Sequence, residues 1–247
     1  MEQDFTAVLV ADCHVREGTE KTGEFRAMLQ KLSTLKPECA VIFLGDIFDL
    51  WIAHKGYEGT LHREFLDWCS IQKEKRKVVF IEGNHELYVK RIHKECFTFV
   101  SEKEYPANGC CFCHGDQFNS RDWGYTLFRF LLRNPVMCFL AKISSGFLGP
   151  LTARLVKKIF CCRGSKEHKA LPEKLFERYA LSLKKRGIYK VAAGHFHRSW
   201  SFKGVPSVEI RLVPAWENRG EITLFYDGGK YLDLHWKSLP EGDFGGK

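Results

Sequence analysis

Several protein classes are excluded by what this sequence lacks. No stretch in its 247 residues reaches the roughly 18 consecutive apolar residues of a membrane-spanning helix, so an integral helical membrane protein is not expected. The N-terminal "MEQDFTAVLVADCH" carries acids where a secretory leader carries cations, and it enters a strand at once. A cytoplasmic protein is the expectation. No internal repeat or low-complexity segment is present. Of the ten cysteines, Cys110 and Cys113 have CxxC spacing, which suits a redox pair or half a zinc site. Strand alternation sends the two to opposite faces, and there is no second CxxC to complete four thiolates. Others, such as Cys39, Cys69, Cys96 and Cys138, lie in apolar runs as small hydrophobes, so no disulfide framework is expected.

Acidic residues are nearly missing from one segment. Between residues 121 and 170 only Asp122 and Glu167 oppose ten cations. That excess of eight equals the net charge of the whole chain, +8; the remainder is close to neutral. An anionic partner follows: a phosphate ester, nucleic acid or an acidic membrane surface. The segment is also rich in Phe and Leu, and Pro135 and Pro150 should break it into short helices.

What is present is ordinary for one large core, with 45% hydrophobic and 14% aromatic residues. Five short apolar runs organise the chain: "TAVLVADCH" (6–14), "CAVIFLGDIFD" (39–49), "KVVFIEGNHE" (77–86), "CCFCHGD" (110–116) and "KVAAGHFH" (190–197). Each reads as a buried strand. Segments of helical character, "EFRAMLQKLSTL" and "LHREFLDWCSIQKEK", separate the first three. After residue 200 short strands alternate with Gly and Asn turns, including the hairpin signal Asp227-Gly228. The expectation is an α/β fold, a two-sheet sandwich forming a single domain over 1–247, with an inserted helical lid at 122–170.

Every one of those runs ends in metal-ligand chemistry: Asp12 and His14; Asp46, followed by Asp49; Asn84 and His85; His114; His195 and His197. These are C-terminal strand ends, where open α/β sheets place their sites. Carboxylate, amide oxygen and imidazole together suit manganese, iron or zinc, and the absence of thiolates speaks against a structural zinc site. In a DxH or HxH pair, residues i and i+2 share a face. A glycine before the donor, as in Gly45-Asp46, Gly83-Asn84 and Gly194-His195, permits a tight turn and a close backbone approach. A lone His or Asp there would read as a locally satisfied turn residue, but donors at five strand ends speak for a site. His54, His62, His93, His168 and His235 lack this context and read as surface or packing residues. Asp49 suits either an orienter of a ligand or a helix cap, Asp116 a brace for the loop after His114, and Trp51 and Trp216 the core.

The ordered set DxH, GDxxD, GNHE, HGD and GHxH resembles the calcineurin-like metallophosphoesterase superfamily. The resemblance implies two divalent ions, with manganese the expected metal. Asp12, His14, Asp46 and His197 would hold one and Asp46, Asn84, His114 and His195 the other, with Asp46 bridging. His85 would face the substrate as general acid or phosphate stabiliser, making His85 and Asp46 the catalytic pair. Beyond these motifs, "GDIFDLWI", "HGDQFNSRDWGYTLFR", "SKE", "GHFHR" and "AW" are similar to the UDP-2,3-diacylglucosamine pyrophosphatases of lipid A synthesis. That similarity implies a lid over acyl chains and substrate contacts at Asn84, His85, Asp122, Ser165, Lys169 and His195. It also implies release of UMP and diacylglucosamine 1-phosphate, at a peripheral position on the inner face of the cytoplasmic membrane. The chain departs from that family where His85 replaces the Arg of GNRD, where Lys169 replaces an Asn, and near Pro172, where a Lys is expected. A nuclease is the enzymatic rival, since aromatics interleaved with Arg suit single strands, and a binding scaffold is the other. The Leu and Phe content favours lipid over nucleic acid, and the intact donor set favours an enzyme over a scaffold. The sequence points to no protein partner.

Overall fold

Alternation of side chains along five strands decides the layering of the molecule. The computed structural model describes residues 5–118, 133–144, 173–203 and 208–240. In chain order the described elements are β1 (Phe5–Val10), α1 (Glu20–Ser33), β2 (Ala40–Phe43), β3 (Trp51–Ile52), α2 (Thr60–Lys73), β4 (Val78–Ile81), β5 (Glu86–Leu87), α3 (Val89–Ile92), β6 (Phe99–Ser101), β7 (Glu104–Ala107) and β8 (Cys110–Cys113). There follow α4 (Pro135–Ser144), α5 (Glu173–Lys184), β9 (Lys190–Ala193), β10 (Trp200–Lys203), β11 (Glu209–Leu212), α6 (Trp216–Arg219), β12 (Glu221–Tyr226) and β13 (Lys230–His235). Pro135 opens α4, the first helical position, where its missing N–H costs nothing. Pro150 and most of 122–170 lie outside the described residues.

One sheet runs β13-β12-β1-β2-β4-β6 and a second β10-β11-β9-β8-β7. In the first, β1, β2, β4 and β6 are parallel; in the second, β8, β9 and β11 are. Val8, Val10, Val41, Phe43, Val78 and Phe80 point outward to the core under α1 and α2. Their neighbours Ala7, Leu9, Ile42, Leu44, Val79 and Ile81 point inward, to meet Phe112 and Ala192 of the second sheet. Cys111, Cys113, Val191 and Ala193 face away, against Phe176, Ala180 and Leu183 of α5. The strands are thus covered on both faces, which is why they read as continuous apolar runs.

Cys113 lies in the α5 layer, whereas Cys110 packs toward the inter-sheet layer, so strand alternation separates the CxxC pair as expected. The hairpin at Asp227 forms with β12 and β13 flanking it, and Gly228 and Gly229 both take positive φ. A third, two-stranded parallel sheet, β3-β5, was not legible beforehand. It places Glu86 directly beneath the turn carrying Asp46. Among the described residues no helix is long and apolar enough to cross a membrane.

Candidate metal centre

The strands stop before the donors begin. β1 ends at Val10, β2 at Phe43, β4 at Ile81, β8 at Cys113 and β9 at Ala193, so the donors stand on the turns that follow. Five of them adopt left-handed backbone: Asp12 (φ 50°), His14 (43°), Asp46 (52°), His195 (70°) and His197 (53°). Such a conformation costs a non-glycine residue about 1–3 kcal/mol, and it persists only where the surroundings over-determine it. Strand alternation alone therefore does not converge the pairs; the left-handed turns do.

Two groups result. Asp12, His14 and His197 bring donor atoms within 4.8 Å of one another, and Asp46, His114 and His195 do the same. His14, Asp46 and His85 form an overlapping third set. Around His114 Nε2 stand Asn84 Oδ1 at 3.0 Å, His195 Nδ1 at 3.2 Å and Asp46 Oδ2 at 3.4 Å, four donors focused on one point. Asp46 Oδ2 lies 3.8 Å from His14 Nε2 and 3.9 Å from His85 Nε2, so it faces both groups. His197 Nε2 lies 3.7 Å from Asp12 Oδ1. His114 Nδ1 is directed at the Leu44 carbonyl, 2.8 Å away, which leaves Nε2 for the centre.

Approach this close is open only to glycine at three positions. A Cβ on Gly45 would lie 2.5 Å from Gly83 N and 2.9 Å from His114 Nδ1; one on Gly194 would lie 2.7 Å from Asp12 Oδ2. One on Gly83 would meet Asp46. The turn is braced by residues that sequence reasoning missed. Glu86, fully buried, accepts the backbone N–H groups of Gly83, Asp46 and Ile47, each at 2.8 Å. Arg133, at the foot of α4, donates to the carbonyls of Gly83 (2.6 Å), Glu86 (3.1 Å) and Glu102 (3.2 Å) and lies 3.6 Å from the Glu82 carboxylate. Asp49 acts through its carbonyl, which takes His85 Nδ1 at 2.5 Å.

The charges are mutually adjusted. Burial works against the Asp46 carboxylate, yet His114, His85 and His14 outweigh it and hold its pKa well below the usual range. Burial opposes charge on His114 too, but Asp46 overrides it and pushes the imidazole up to about 9. For Glu86, burial and then Asp46 push the carboxyl up to about 7. Burial lifts Asp12 against the pull of His114 and His197.

Divalent ions fit this donor set. Asp12 Oδ1 and His14 Nε2 are buried without a hydrogen-bond partner, an arrangement that is costly unless a cation completes it. Oxygen and imidazole donors suit manganese, iron or zinc alike. Of the residues named from the sequence, Asp12, His14, Asp46, Asn84, His85, His114, His195 and His197 are brought to one mouth. Asp122, Ser165 and Lys169 lie outside the described residues. Trp51 and Trp216 are core, 0% and 1% exposed. His54 is buried beside Cys138, its Nε2 3.1 Å from the carbonyl; His62 accepts from Gly59 N at the start of α2; and His93 pairs with Glu58.

Comparison with known proteins identifies the family. The profile of the calcineurin-like phosphoesterase family matches residues 5–202. Two curated proteins named UDP-2,3-diacylglucosamine hydrolase are similar. That of Stutzerimonas stutzeri (strain A1501) is 25% identical over 144 residues, 55% of this chain and 58% of the relative. That of Ectopseudomonas mendocina (strain ymp) is 26% identical over 141 residues, 55% of this chain and 57% of the relative. Each match thus spans little more than half of the relative's length. A dimetal phosphatase from Danio rerio superposes with a TM-score of 0.41 at 12% identity, covering 95% of this chain and 100% of the other. On the match of its whole motif-bearing region, the chain belongs to the calcineurin-like phosphoesterase family, a family of metal-dependent hydrolases.

Proposed function

We propose that the protein is a dinuclear metal-dependent pyrophosphate hydrolase that cleaves UDP-2,3-diacylglucosamine to UMP and 2,3-diacylglucosamine 1-phosphate. The observation that carries the reading is the position of Asp46 between two donor groups on one mouth, its Oδ2 3.8 Å from His14 Nε2 and 3.4 Å from His114 Nε2. Asp12, His14, Asp46 and His197 would hold one ion, and Asp46, Asn84, His114 and His195 the other. Bound there, two divalent ions would supply Lewis acidity toward the phosphoryl oxygens and a water of lowered pKa. His85 directs Nδ1 to the Asp49 carbonyl and presents Nε2 to the centre. Burial works against charge on this ring, but Asp46 and that carbonyl outweigh it and raise its pKa in the metal-free chain; as general acid His85 would give an Nε2 proton to the leaving phosphate oxygen.

The lipid substrate is supported by the names of the two relatives. It is supported also by the exposed side of α4, where Val136, Phe139, Leu140 and Ile143 stand at i, i+3, i+4 and i+7. Asp122, Ser165 and Lys169 would complete the substrate contacts. Attachment to an anionic membrane surface through the segment 122–170 belongs to the same reading. One observation favours a second reading, a phosphodiester or phosphomonoester hydrolase on another substrate: His85 stands where the lipid pyrophosphatases have Arg.

Purified protein with added Mn2+ in detergent should release UMP from UDP-2,3-diacylglucosamine, and the Asp46→Ala variant should not. Turnover of nuclease or simple phosphoester substrates without UMP release from the lipid would overturn the lipid assignment and leave the second reading.

A further inference from the structure

Of the imidazoles at the centre, His197 is the most exposed. Its side chain is 38% exposed, whereas Asp12 opposite it is fully buried, and its backbone is left-handed. An exposed ring on such a turn needs a partner to keep Nε2 aimed at Asp12.

The far side of that ring meets Glu217. Nδ1 of His197 lies 3.0 Å from Glu217 Oε1. Glu217 is fixed in turn. Lys21 Nζ donates to its carbonyl at 2.8 Å and lies 3.9 Å from Oε2. The short helix α6 is seated by the buried Trp216 and tied to the end of β1, with Trp216 N donating to Ala11 O (3.0 Å) and Glu217 N to Asp12 O (3.2 Å). Asn218 Nδ2 reaches the carbonyl of His197 at 3.4 Å. One turn of helix thus grips the backbone of Asp12 and both ends of His197. His114 and His85, by contrast, direct their far nitrogens at main-chain carbonyls.

We propose that Glu217 is a positioning residue for the first metal: its carboxylate accepts the Nδ1 proton of His197, fixing the tautomer and aiming Nε2 beside Asp12. A carboxylate behind a ligating imidazole raises its basicity as well as orienting it, and removal of such a partner commonly lowers metal affinity about 10–100-fold. The proposal rests on the dinuclear reading above, but it concerns one of the two sites. In the second group the far nitrogen of His114 is held by the Leu44 carbonyl and the Asp46 backbone by Glu86, so loss of Glu217 should fall on the first site rather than on the second.

The test is calorimetric titration of Mn2+ into metal-free wild-type, Glu217→Ala and Glu217→Gln protein, with thermal melts of each. Wild type should take up two ions. Glu217→Ala should bind one ion as wild type does and the other about 10–100-fold more weakly, and its metal-free melting temperature should stay close to wild type. Glu217→Gln, whose amide oxygen still accepts Nδ1–H, should lose less. If Glu217→Ala does not fold, the isosteric Gln variant is read against the same expectation of a one-site loss. Wild-type affinity at both sites, or equal weakening of both, would overturn the proposal alone. A wild-type chain that takes up no Mn2+ would refute the dinuclear reading, and this proposal with it.

Discussion

A single methyl group on Gly83 should cost this protein its chemistry before it costs its fold. Built on the observed backbone, the added Cβ would stand 2.6 Å from Asp46 N and 2.9 Å from Asp46 Cγ, with Oδ1 closer still. Ordinary contact needs over 3 Å, so something must move by up to about 1 Å. Gly83 itself is held on both sides: its N–H by Glu86 and its carbonyl by Arg133. Asp46 is held by the same Glu86 through its own N–H, so the two turns must part and the Asp46 carboxylate, which faces both donor groups, is displaced with them. Overpacking of this kind costs about 1–3 kcal/mol of stability, whereas misplacing a reacting group by 1 Å costs about 100-fold in rate. Gly23 provides the control. It lies inside α1 with nothing within 4 Å of an added Cβ, so Gly23→Ala should stabilise by about 0.5–1 kcal/mol and leave turnover unchanged. The assay is Mn2+-dependent hydrolysis of bis(p-nitrophenyl) phosphate, or of whichever substrate proves best, together with urea unfolding of both variants. Wild-type turnover by Gly83→Ala would refute the close-packing argument.

Two further outcomes follow from the same brace. Glu86→Gln keeps the shape but leaves one acceptor oxygen for three backbone N–H groups, so whichever way the amide lies at least one buried donor is stranded. A loss of about 1–3 kcal/mol in urea unfolding is expected, and a change under 0.5 kcal/mol would count against the assigned hydrogen bonds. For His114, a folded pKa of about 9 against an ordinary 6.5 means that its charged form stabilises the metal-free protein fully below about pH 6.5 and that this contribution fades as pH rises through 9. Metal uptake requires the unprotonated Nε2. Mn2+ binding at pH 7 should therefore release protons and strengthen as pH rises. Titrations in two buffers of different ionisation enthalpy would detect this, and identical apparent enthalpies would refute it.

How much of this was legible beforehand differs from residue to residue. The five runs announced themselves because strands covered on both faces must be apolar throughout, and the polar break at the end of each marks where the cover stops. The donors were readable for that reason, and Asp and His are also among the residues that tolerate left-handed backbone. The lines of support were not readable. Glu86 closes the GNHE motif, but its three N–H partners depend on the β3-β5 pairing, which two-residue strands do not advertise. Glu217 lies some two hundred residues from Asp12 in sequence, and nothing in "AWENRG" announces an imidazole partner. Arg133 sits among ten cations whose sequence conveys only charge, yet it is 9% exposed and spends its donors on main-chain carbonyls.

That last residue bears on how the protein can be trimmed. A minimal catalytic core made by excising 122–170 would look reasonable on topology, because β8 and α5 flank the segment on either side. The cut would remove the guanidinium that bonds the carbonyls of Gly83, Glu86 and Glu102, and it would take the Arg133 charge away from the buried Glu82 carboxylate. A shortened chain would then carry every metal donor and still hold them loosely. Grafting the arginine back, on a bridge that starts near residue 133, is the condition for a small version of this hydrolase to keep its centre.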